Sequence, residues 1–476
     1  MKSRIWKAMA LFVLSALLLT ACAQKPAAPA TTPAAPAPAT PAANEPWTLE
    51  KAAEPYKGQR IAFWTPTWKE GLDKVAAEFK AKTGIEVEVT AMPNQQLFDK
   101  FILDVKTGQG AFDAAMATPS VVAAALKGQE GIVDLSKFMK NAKLFDPAWN
   151  KDDVIWDKPS PALVGEKVFG VPANQGALFL YYRKDLFADP KHKDAFKAKY
   201  GYDLKPPATI KELGEVSTYF TETEWKAEDG TKGYGIAHFG KKDEGLLWEY
   251  EAYVLGLLKE GGAKEPLMIE ADYKTALTTD AAVKALEFYK NNLKNSPPGV
   301  FEVGNLENRN LFAQGKVAMV ITFQSFLTVV HDPAKSKVAD KVAVAQVPGH
   351  RSRAGGGWHA TVNAKSKYPE AAYLWIQYLT SKDVNWQLNE LSSIGLNRYS
   401  NWTDPRFLKS YPYGDAYDAT FKEGYPTPSL PEYQTLHKAF GEEVSAYFAS
   451  GGDAKTVIQK INDKWTQTFK EAGYVK

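Results

Sequence analysis

Residues 60–126 read RIAFWTPTWKEGLDKVAAEFKAKTGIEVEVTAMPNQQLFDKFILDVKTGQGAFDAAMATPSVVAAAL. The spacing of the hydrophobic residues in this stretch alternates between the pattern of a strand and that of a helix. Arg60 to Trp64 is a short apolar run, and from Leu72 to Phe79 apolar residues recur at helical spacing until Gly84 supplies a C-terminal stop. Residues 85–90 then alternate apolar and polar, which is the period of a strand with one wet face. The stretch therefore opens with a predicted strand, helix and strand.

The same alternation continues through the rest of the stretch. Apolar residues at helical spacing from Leu97 to Val105 predict a second helix, and Phe112 to Ala117 predicts a third strand followed by a third helix. Strands that alternate with helices favour a mainly parallel sheet covered by helices on both faces. The fold class predicted for the chain is α/β.

Ligands of such sheets collect at the carboxyl ends of the strands, where loops are free to vary. Those ends are residues 65–68, residues 93–96 and Thr118, and none of them carries the glycine-rich loop that a phosphate needs. The candidate binding residues at these ends, and at the strand that precedes the first of them, are Trp64, Trp68, Gln95, Gln96 and Thr118.

The first residues of the chain have the pattern of a secretory signal. Lys2, Arg4 and Lys7 precede an apolar segment from Ala8 to Ala21 that is too short for a comfortable membrane span. The only cysteine, Cys22, follows directly. Leu-Thr-Ala-Cys at 19–22 resembles the lipobox of bacterial lipoproteins, so we expect cleavage after residue 21 and lipid attachment at Cys22. A single cysteine excludes an intramolecular disulfide.

Ala23 to Pro46 consists almost wholly of alanine, proline and threonine. Such a segment has too few large apolar groups to offset the entropy of ordering it. We predict a lipid anchor and a disordered tether over residues 22–55. The folded part after it is longer than one hydrophobic core usually serves, so two domains are expected.

The charge of the chain gives no reason to expect a nucleic-acid partner. There are 58 Lys and Arg against 55 Asp and Glu, and the signal segment holds three of the basic residues. The remaining chain is formally neutral, and its basic clusters are interrupted by acidic residues.

Four stretches resemble segments of one known family, in the order in which that family has them. They are VPANQGALFLYYRKDLF at 171–187, LFAQGKVAMVITFQSF at 311–326, GGGWHATVNAKSKYPEAAYLWIQYLTS at 355–381 and GLNRYSNWTDPRF at 395–407. The family is that of the extracellular solute-binding proteins of bacterial ABC importers for sugars, which includes maltose-binding and polyol-binding proteins. The resemblance covers nearly the whole chain from residue 56 onward.

This resemblance implies a two-lobe periplasmic-binding-protein-like fold that closes on a solute about a hinge. By analogy the N-terminal lobe holds residues 56–170 plus 355–394, and the C-terminal lobe holds 171–354 plus 395–476. Each lobe is expected to be a mainly parallel sheet flanked by helices, with hinge strands crossing between the lobes.

The resemblance also implies where a sugar would bind. Sugar rings have apolar faces and hydroxyl rims, so their sites use aromatic plates with planar polar groups around them. Each candidate has an ordinary alternative: core packing for the aromatics and His359, a surface amide for Asn and Gln, and a structural ion pair for Arg398. The further candidates by analogy are Asn174, Gln175, Phe323, Gln324, Trp358, His359 and Arg398.

The resulting prediction is a monomeric, lipid-anchored receptor outside the cytoplasm, either periplasmic or facing outward. It captures a sugar, polyol or short oligosaccharide and delivers it to the permease subunits of an ABC transporter. No cofactor, metal site or catalysis is expected, since only six histidines exist and no pair has zinc-site spacing.

Three alternatives remain open. A surface-anchored hydrolase that degrades glycans would need two carboxylates held across the cleft, and none is recognisable at the predicted strand ends. A binding protein for a non-carbohydrate solute would show the same fold. An adhesin or sensor module would share the binding site, but would not stimulate the ATPase of an importer.

Overall fold

The computed structural model of the chain describes residues 46–128, 130–156 and 160–476. The predicted signal segment at 1–21, the lipidation site Cys22 and most of the predicted tether lie outside the described residues. The folded unit that the structure describes begins at Trp47. None of its helices has the length and apolar character needed to cross a bilayer.

The predicted tether over 22–55 extends too far into the folded part. A helix occupies Leu49–Ala53, and the Thr48 hydroxyl caps it by accepting from the Lys51 N–H at 3.3 Å. Ala52 and Ala53 are buried, and Trp47 packs against the adjacent core. Residues 47–53 are therefore not part of a tether, because their apolar side chains pack against the core.

The strands form two larger sheets and one short hairpin. The first sheet has the order β2-β1-β3-β11-β6, the second sheet has the order β10-β7-β9-β8, and β4 pairs with β5. The strands are β1 Arg60–Thr65, β2 Glu86–Ala91, β3 Ala114–Ala117, β4 Leu163–Val164, β5 Lys167–Val168, β6 Val171–Asn174, β7 Leu178–Arg183, β8 Tyr234–Ala237, β9 Val317–Phe323, β10 Val342–Ala345 and β11 Trp358–Val362.

Helices fill the intervals between these strands. Numbered in chain order they are α1 Leu49–Ala53, α2 Lys69–Thr83, α3 Asn94–Thr107, α4 Pro119–Leu126, α5 Ser136–Met139, α6 Lys184–Ala188, α7 Pro190–Tyr200, α8 Ile210–Glu222, α9 Glu244–Glu260, α10 Asp280–Asn292, α11 Asn305–Ala313, α12 Leu327–Val330, α13 Pro369–Leu379, α14 Lys382–Ser392, α15 Pro405–Ser410, α16 Gly414–Glu423, α17 Tyr433–Ser450 and α18 Ala454–Glu471.

The first sheet confirms the strands and helices predicted from residues 60–126. β1 pairs in parallel with β2 and with β3, and Gly84 ends α2 in the left-handed conformation at φ 71°. β11 and β6 return from later in the chain and pair antiparallel. The sheet is therefore mixed, with its parallel part where the sequence predicted it.

The second sheet differs from the prediction of a mainly parallel sheet. β7 runs antiparallel to both β9 and β10, and only β8 and β9 pair in parallel. The reason is that only residues 175–177 separate β7 from β6. β7 therefore continues in the direction in which β6 leaves the first sheet. β9 and β10 enter after helices and take the opposite direction. The α/β class is unaffected.

Two segments that connect the sheets pair with each other. Residues 175–177 lead from β6 to β7, and residues 353–357 lead back toward β11. The Leu178 N–H donates to the Arg353 carbonyl at 3.0 Å, and the Gly355 N–H donates to the Gly176 carbonyl at 2.8 Å. β6 still belongs to the first sheet, so a lobe boundary at Val171 lies one strand too early. The other predicted boundaries stay a prediction.

Candidate functional site

A cavity of about 310 Å³ lies where the strand ends of the first sheet face those of the second. This volume is within the range of small-ligand sites. Its walls come from loops at strand ends and from the first turns of several helices. The lining residues are Pro66, Thr67, Trp68, Asn94, Phe98, Thr118, Ser120, Asn174, Gln175, Gly176, Trp248, Asn305, Arg309, Phe323, Gln324, Ser325, Arg353, Gly355, Gly356, Gly357, Trp358, Thr427, Tyr433, Gln434 and His437.

Three aromatic rings from the side of the first sheet form one wall. The rings of Phe98 and Trp358 stack with centroids 5.5 Å apart and 27° between their planes. Trp68 meets Trp358 edge to face at 5.9 Å. Trp68 and Trp358 are only partly buried, so part of their surface remains for an apolar ring face.

A second aromatic group faces the cavity from the other sheet. Trp248 on α9 meets Phe323 at the end of β9 edge to face at 4.8 Å. The guanidinium of Arg353 lies over the rings of Trp248 and Tyr433, at 5.8 and 5.6 Å. The cavity thus has aromatic surface on two sides.

Amide groups occupy the ends of β6 and β9. Asn174 accepts a hydrogen bond from the Gly395 N–H at 2.5 Å through Oδ1, and the side-chain nitrogen of Gln324 donates to the Gln175 carbonyl. That bond fixes the orientation of the Gln324 amide. Gln324 Oε1 and Asn305 Oδ1 are buried acceptors without a hydrogen-bond donor among the described residues. Buried acceptors in this state are expected to be satisfied by a ligand or by water.

Arg353 is held in the cavity wall by a buried carboxylate. Its Nη2 donates to Glu251 Oε2 at 2.6 Å and also to the Tyr433 hydroxyl. Tyr425 and Tyr433 donate to the same carboxylate. Burial disfavours the charged form of Arg353, but the neighbouring Glu251 carboxylate outweighs this effect. The pKa of Arg353 therefore lies well above its ordinary value. Its Nε has no partner among the described residues.

His437 on α17 lines the same wall. Burial lowers the pKa of His437 well below its ordinary value, and the nearby charge of Arg353 lowers it further. The imidazole is therefore neutral at pH 7. A neutral ring can pack against the aromatic group without placing a positive charge next to that of Arg353.

Seven of the twelve predicted binding residues lie together around the cavity. Their role in binding stays a prediction, but the structure brings them into one place from five separate parts of the chain. They are Trp68, Thr118, Asn174, Gln175, Phe323, Gln324 and Trp358.

Trp64, Gln95 and Gln96 do not line the cavity. The ring of Trp64 packs against Phe112 with centroids 4.7 Å apart, within a core cluster beside β1. Gln95 and Gln96 are exposed at the start of α3, where Gln95 donates to Asp99 Oδ1 at 2.9 Å. The first turn of α3 directs Asn94 and Phe98 to the cavity instead, since they lie on the same face one turn apart.

His359 and Arg398 also lie away from the cavity. His359 is 1% exposed on β11, where side chains alternate between faces and Trp358 takes the face toward the cavity. Arg398 donates to the carbonyls of Thr380 and Asn150 at 2.9 and 3.1 Å. The structure therefore does not place Arg398 among the lining residues, because its guanidinium is already bonded inside the fold.

Arg398 and Ser400 form an Arg-x-Ser element within the stretch 395–407 that carries part of the resemblance, and this element has a structural task in this chain. Asp153 accepts from both the N–H and the hydroxyl of Ser400, at 2.8 and 2.6 Å, and lies 3.7 Å from Arg398. The element thus joins residues 150–153 to the segment after α14.

Several lining residues were missed by the sequence analysis. Trp248 lies within a helix whose residues are mostly apolar or aromatic, so periodicity does not distinguish it from the core residues beside it. Asn305 and Arg309 lie on α11, which the sequence analysis did not assign to a strand end. Arg353 had a usable signal, since it stands two residues before the glycine run 355–357 and glycine permits a close approach of the backbone to a ligand. The main omissions are Phe98, Trp248, Asn305, Arg309, Arg353, Tyr433 and His437.

The glycine run is required by its surroundings. Gly356 has φ 70°, and a Cβ built on it would lie 2.3 Å from Thr427 Cβ. A Cβ on Gly357 would lie 1.9 Å from the Asn174 carbonyl oxygen. Only glycine permits this approach between the crossing segment and the cavity wall.

The chain matches known proteins along most of its length. A family model described as bacterial extracellular solute-binding protein matches residues 65–386. A probable ABC transporter-binding protein of Deinococcus radiodurans is 26% identical over 382 residues, 78% of this chain and 84% of that protein. A mannitol-binding protein of Pseudomonas aeruginosa is 24% identical over 417 residues, 82% of this chain and 88% of its own length.

Solved structures share the fold. A solute-binding protein of an ABC transporter from Agrobacterium radiobacter K84, in complex with ribitol, superposes with a TM-score of 0.71 and 25% identity, covering 87% of this chain and 99% of that one. The maltose-bound MalE3 protein of T. maritima gives a TM-score of 0.68 at 22% identity, covering 86% and 99%. The two-lobe fold and the family match agree with the sequence analysis, and the chain belongs to the bacterial extracellular solute-binding protein family.

Proposed function

We propose that this chain is the lipid-anchored receptor of a carbohydrate ABC importer, and that it captures a sugar, polyol or short oligosaccharide outside the cytoplasm. The observation that carries the proposal is the cavity itself, with partly exposed aromatic rings on two sides and buried amide oxygens that lack donors. Ring faces of a sugar fit the aromatic surfaces, and its hydroxyls supply the donors. The sugar-bound and polyol-bound relatives of the same fold support this choice.

Capture proceeds by closure of the two lobes about the paired crossing segments. A ligand that contacts both lobes stabilises the closed form, because the open form offers it only half of those contacts. Trp68 and Trp358 approach the ligand from the first sheet, and Trp248 and Phe323 approach from the second. The closed form then delivers the solute to the permease, which is the partner expected for this family.

The hydrolase alternative lacks support in the described part of the cavity. Glycoside cleavage needs two carboxylates across the substrate. No Asp or Glu is found among the described side chains that line the cavity. The family consists of binding proteins, which favours binding without chemistry.

The test is thermal unfolding of the protein in the presence of monosaccharides, polyols, oligosaccharides, amino acids and divalent metal ions. A ligand that binds only the folded state adds ~2.7 kcal/mol at 100 times its dissociation constant. We expect one carbohydrate class to raise the midpoint. If only an amino acid or a metal ion raises it, the carbohydrate proposal is wrong while the fold stands.

Membrane attachment is tested separately. Cys22→Ala removes the proposed site of lipid attachment, so the variant is expected in the soluble fraction after cell breakage. The unaltered chain is expected with the membranes. A variant with Ser15→Ala in the signal segment serves as the control, and equal membrane association of Cys22→Ala would contradict the anchor.

A further inference from the structure

The charge of the cavity narrows the class of carbohydrate. Arg309 on α11 lines the cavity, and its guanidinium has two polar contacts, both neutral. Nε donates to the Thr322 hydroxyl at 3.0 Å, and Nη2 donates to the Ser325 hydroxyl at 3.2 Å. The group has five N–H donors, so the donors of Nη1 remain for a bound molecule.

Arg309 has no carboxylate within ion-pair distance among the described residues, whereas Arg353 is neutralised by Glu251 at 2.6 Å. Burial lowers the pKa of Arg309 to about 10, which is still far above neutral pH. The cavity therefore contains one positive charge that the described protein does not balance. Removing such a charge from water is costly unless an anion accompanies it.

The helices around the cavity add to this positive potential. The first turns of α3 and α4 line the cavity through Asn94 and Ser120. Neither helix has an acidic residue in its first turn. A helix N-terminus carries roughly half a positive charge and favours anions. α11 also begins there, but its field is partly offset because Glu307 accepts from the Gly304 N–H at 3.0 Å.

Other lining groups call for hydroxyl donors. Gln324 Oε1 and Asn305 Oδ1 are buried acceptors without donors in the described chain, and a carboxylate cannot satisfy them. Arg353 Nε, in a side chain that is 6% exposed, is a donor without an acceptor. A ligand that satisfies all of these groups therefore needs both hydroxyl donors and acceptor oxygens.

We propose that the solute is a carbohydrate that bears a carboxylate, such as a uronic or aldonic acid unit, with the carboxylate on Arg309. This inference rests on the proposed function and specifies its substrate class. A planar carboxylate can take a bidentate hydrogen bond from a guanidinium. A cationic solute is disfavoured, because no Asp or Glu is found among the described side chains of the cavity.

The experiment is calorimetric titration of the full-length protein with matched acid and neutral sugars. The probes are D-glucuronate against D-glucose, D-galacturonate against D-galactose, and D-gluconate against D-sorbitol. We expect at least one acid to bind at least tenfold more tightly than its neutral partner. Equal or tighter binding of the neutral partners overturns this inference but leaves the proposed function standing.

Arg309→Gln and Arg309→Lys identify the group responsible. Arg309→Gln is expected to abolish the preference for the acid, so that an acid sugar and its neutral partner bind with similar affinities. Arg309→Lys keeps the charge without the bidentate geometry and is expected to retain part of the preference. Circular dichroism confirms that each variant is folded, and an unchanged acid preference in folded Arg309→Gln overturns the assignment.

Two further probes separate the remaining cases. D-Glucose 6-phosphate tests for a phosphate, and tighter binding of it than of D-glucuronate overturns the carboxylate. Citrate and succinate test for an acid without a sugar. Binding of these acids alone overturns both this inference and the carbohydrate function.

Discussion

Arg353 and Glu251 form an ion pair of 2.6 Å in the wall of the cavity, with the carboxylate fully buried and the guanidinium 6% exposed. The pair joins α9 to the segment that crosses between the sheets. It therefore links the wall of the cavity to the connection between the two sheets.

Glu251→Gln is expected to destabilise the protein by about 3 kcal/mol or more. The change leaves the charge of Arg353 buried without a counter-ion, and breaking one side of a buried pair has costs of this size. Urea unfolding followed by circular dichroism measures the loss. Glu302→Gln is the control, since Glu302 is exposed and its variant should lie within about 0.5 kcal/mol of the wild type. Equal stability of the two variants contradicts the role of the pair.

Trp358→Leu is expected to weaken binding of the preferred carbohydrate at least tenfold. It removes the ring that stacks on Phe98 and faces the cavity, while a side chain of moderate size keeps the neighbouring core filled. Titration calorimetry measures the affinity. Trp156→Leu is the matched control, because Trp156 is partly buried outside the cavity. A similar loss in both variants points to general destabilisation instead of a lost contact.

Gly356→Ala and Gly128→Ala separate backbone strain from steric contact. Both glycines have nearly the same left-handed φ, at 70° and 72°, so both variants incur about 1 to 2 kcal/mol of strain. A Cβ on Gly356 also meets Thr427 at 2.3 Å, whereas one on Gly128 meets nothing within 4 Å. Denaturant unfolding should place Gly356→Ala about 1 to 3 kcal/mol below Gly128→Ala. No difference between them would show that the loop relaxes freely.

Arg398→Ala is expected to lower the stability and to leave the affinity of the folded protein unchanged. The guanidinium donates to the Thr380 and Asn150 carbonyls, and leaving such groups without donors costs about 1 to 3 kcal/mol. Unfolding in urea and titration calorimetry below the transition measure the two effects. A large loss of affinity at wild-type stability would contradict this prediction and show that Arg398 contributes to ligand binding.

Acidification below pH 6.5 is expected to destabilise the protein through buried histidines. Burial lowers the pKa values of His192, His331 and His437 below the ordinary value. The unfolded chain then binds more protons than the folded one, so stability is complete above the unfolded pKa of about 6.5 and falls as the pH drops from there. The slope is at most about 1.4 kcal/mol per pH unit for each histidine.

Unfolding free energies at pH 7.5, 6.5 and 5.5 test this dependence. His437→Gln isolates one histidine, since the difference in slope between the variant and the wild type belongs to that residue. We expect the variant to lose less stability on acidification. Parallel curves would show that His437 is not responsible.

The local sequence was sufficient wherever one segment decides its own structure. The alternation in residues 60–126 correctly predicted β1 to β3 and the helices between them, because periodicity reports which face is buried. Thr209 and Thr279 cap α8 and α10, by accepting from Glu212 N at 3.1 Å and Ala282 N at 3.3 Å, and threonine is a residue type that favours this position. α18 likewise buries one apolar stripe, formed by Ile458, Ile461, Trp465 and Phe469 at helical spacing.

The errors occurred where partners lie far apart in the chain. The direction of β7 depends on β6, and periodicity contains no information about strand direction. Trp64 and Trp68 are four residues apart and looked alike, yet Trp64 packs on Phe112 and Trp68 lies beside Trp358. Which of them faces the cavity depends on contacts with residues 48 and 290 positions away in the chain.

The sequence by itself determined the α/β class and the family, because these follow from local periodicity and from motifs in a fixed order. Only the tertiary structure decided which side chains meet. Arg398 is bonded inside the fold, whereas Trp248 and Arg353 line the cavity. Arg309 also lines the cavity, and no carboxylate among the described residues lies within ion-pair distance of it. The physical reason is that burial and charge balance depend on neighbours in space, and those neighbours come from segments that the chain order keeps apart.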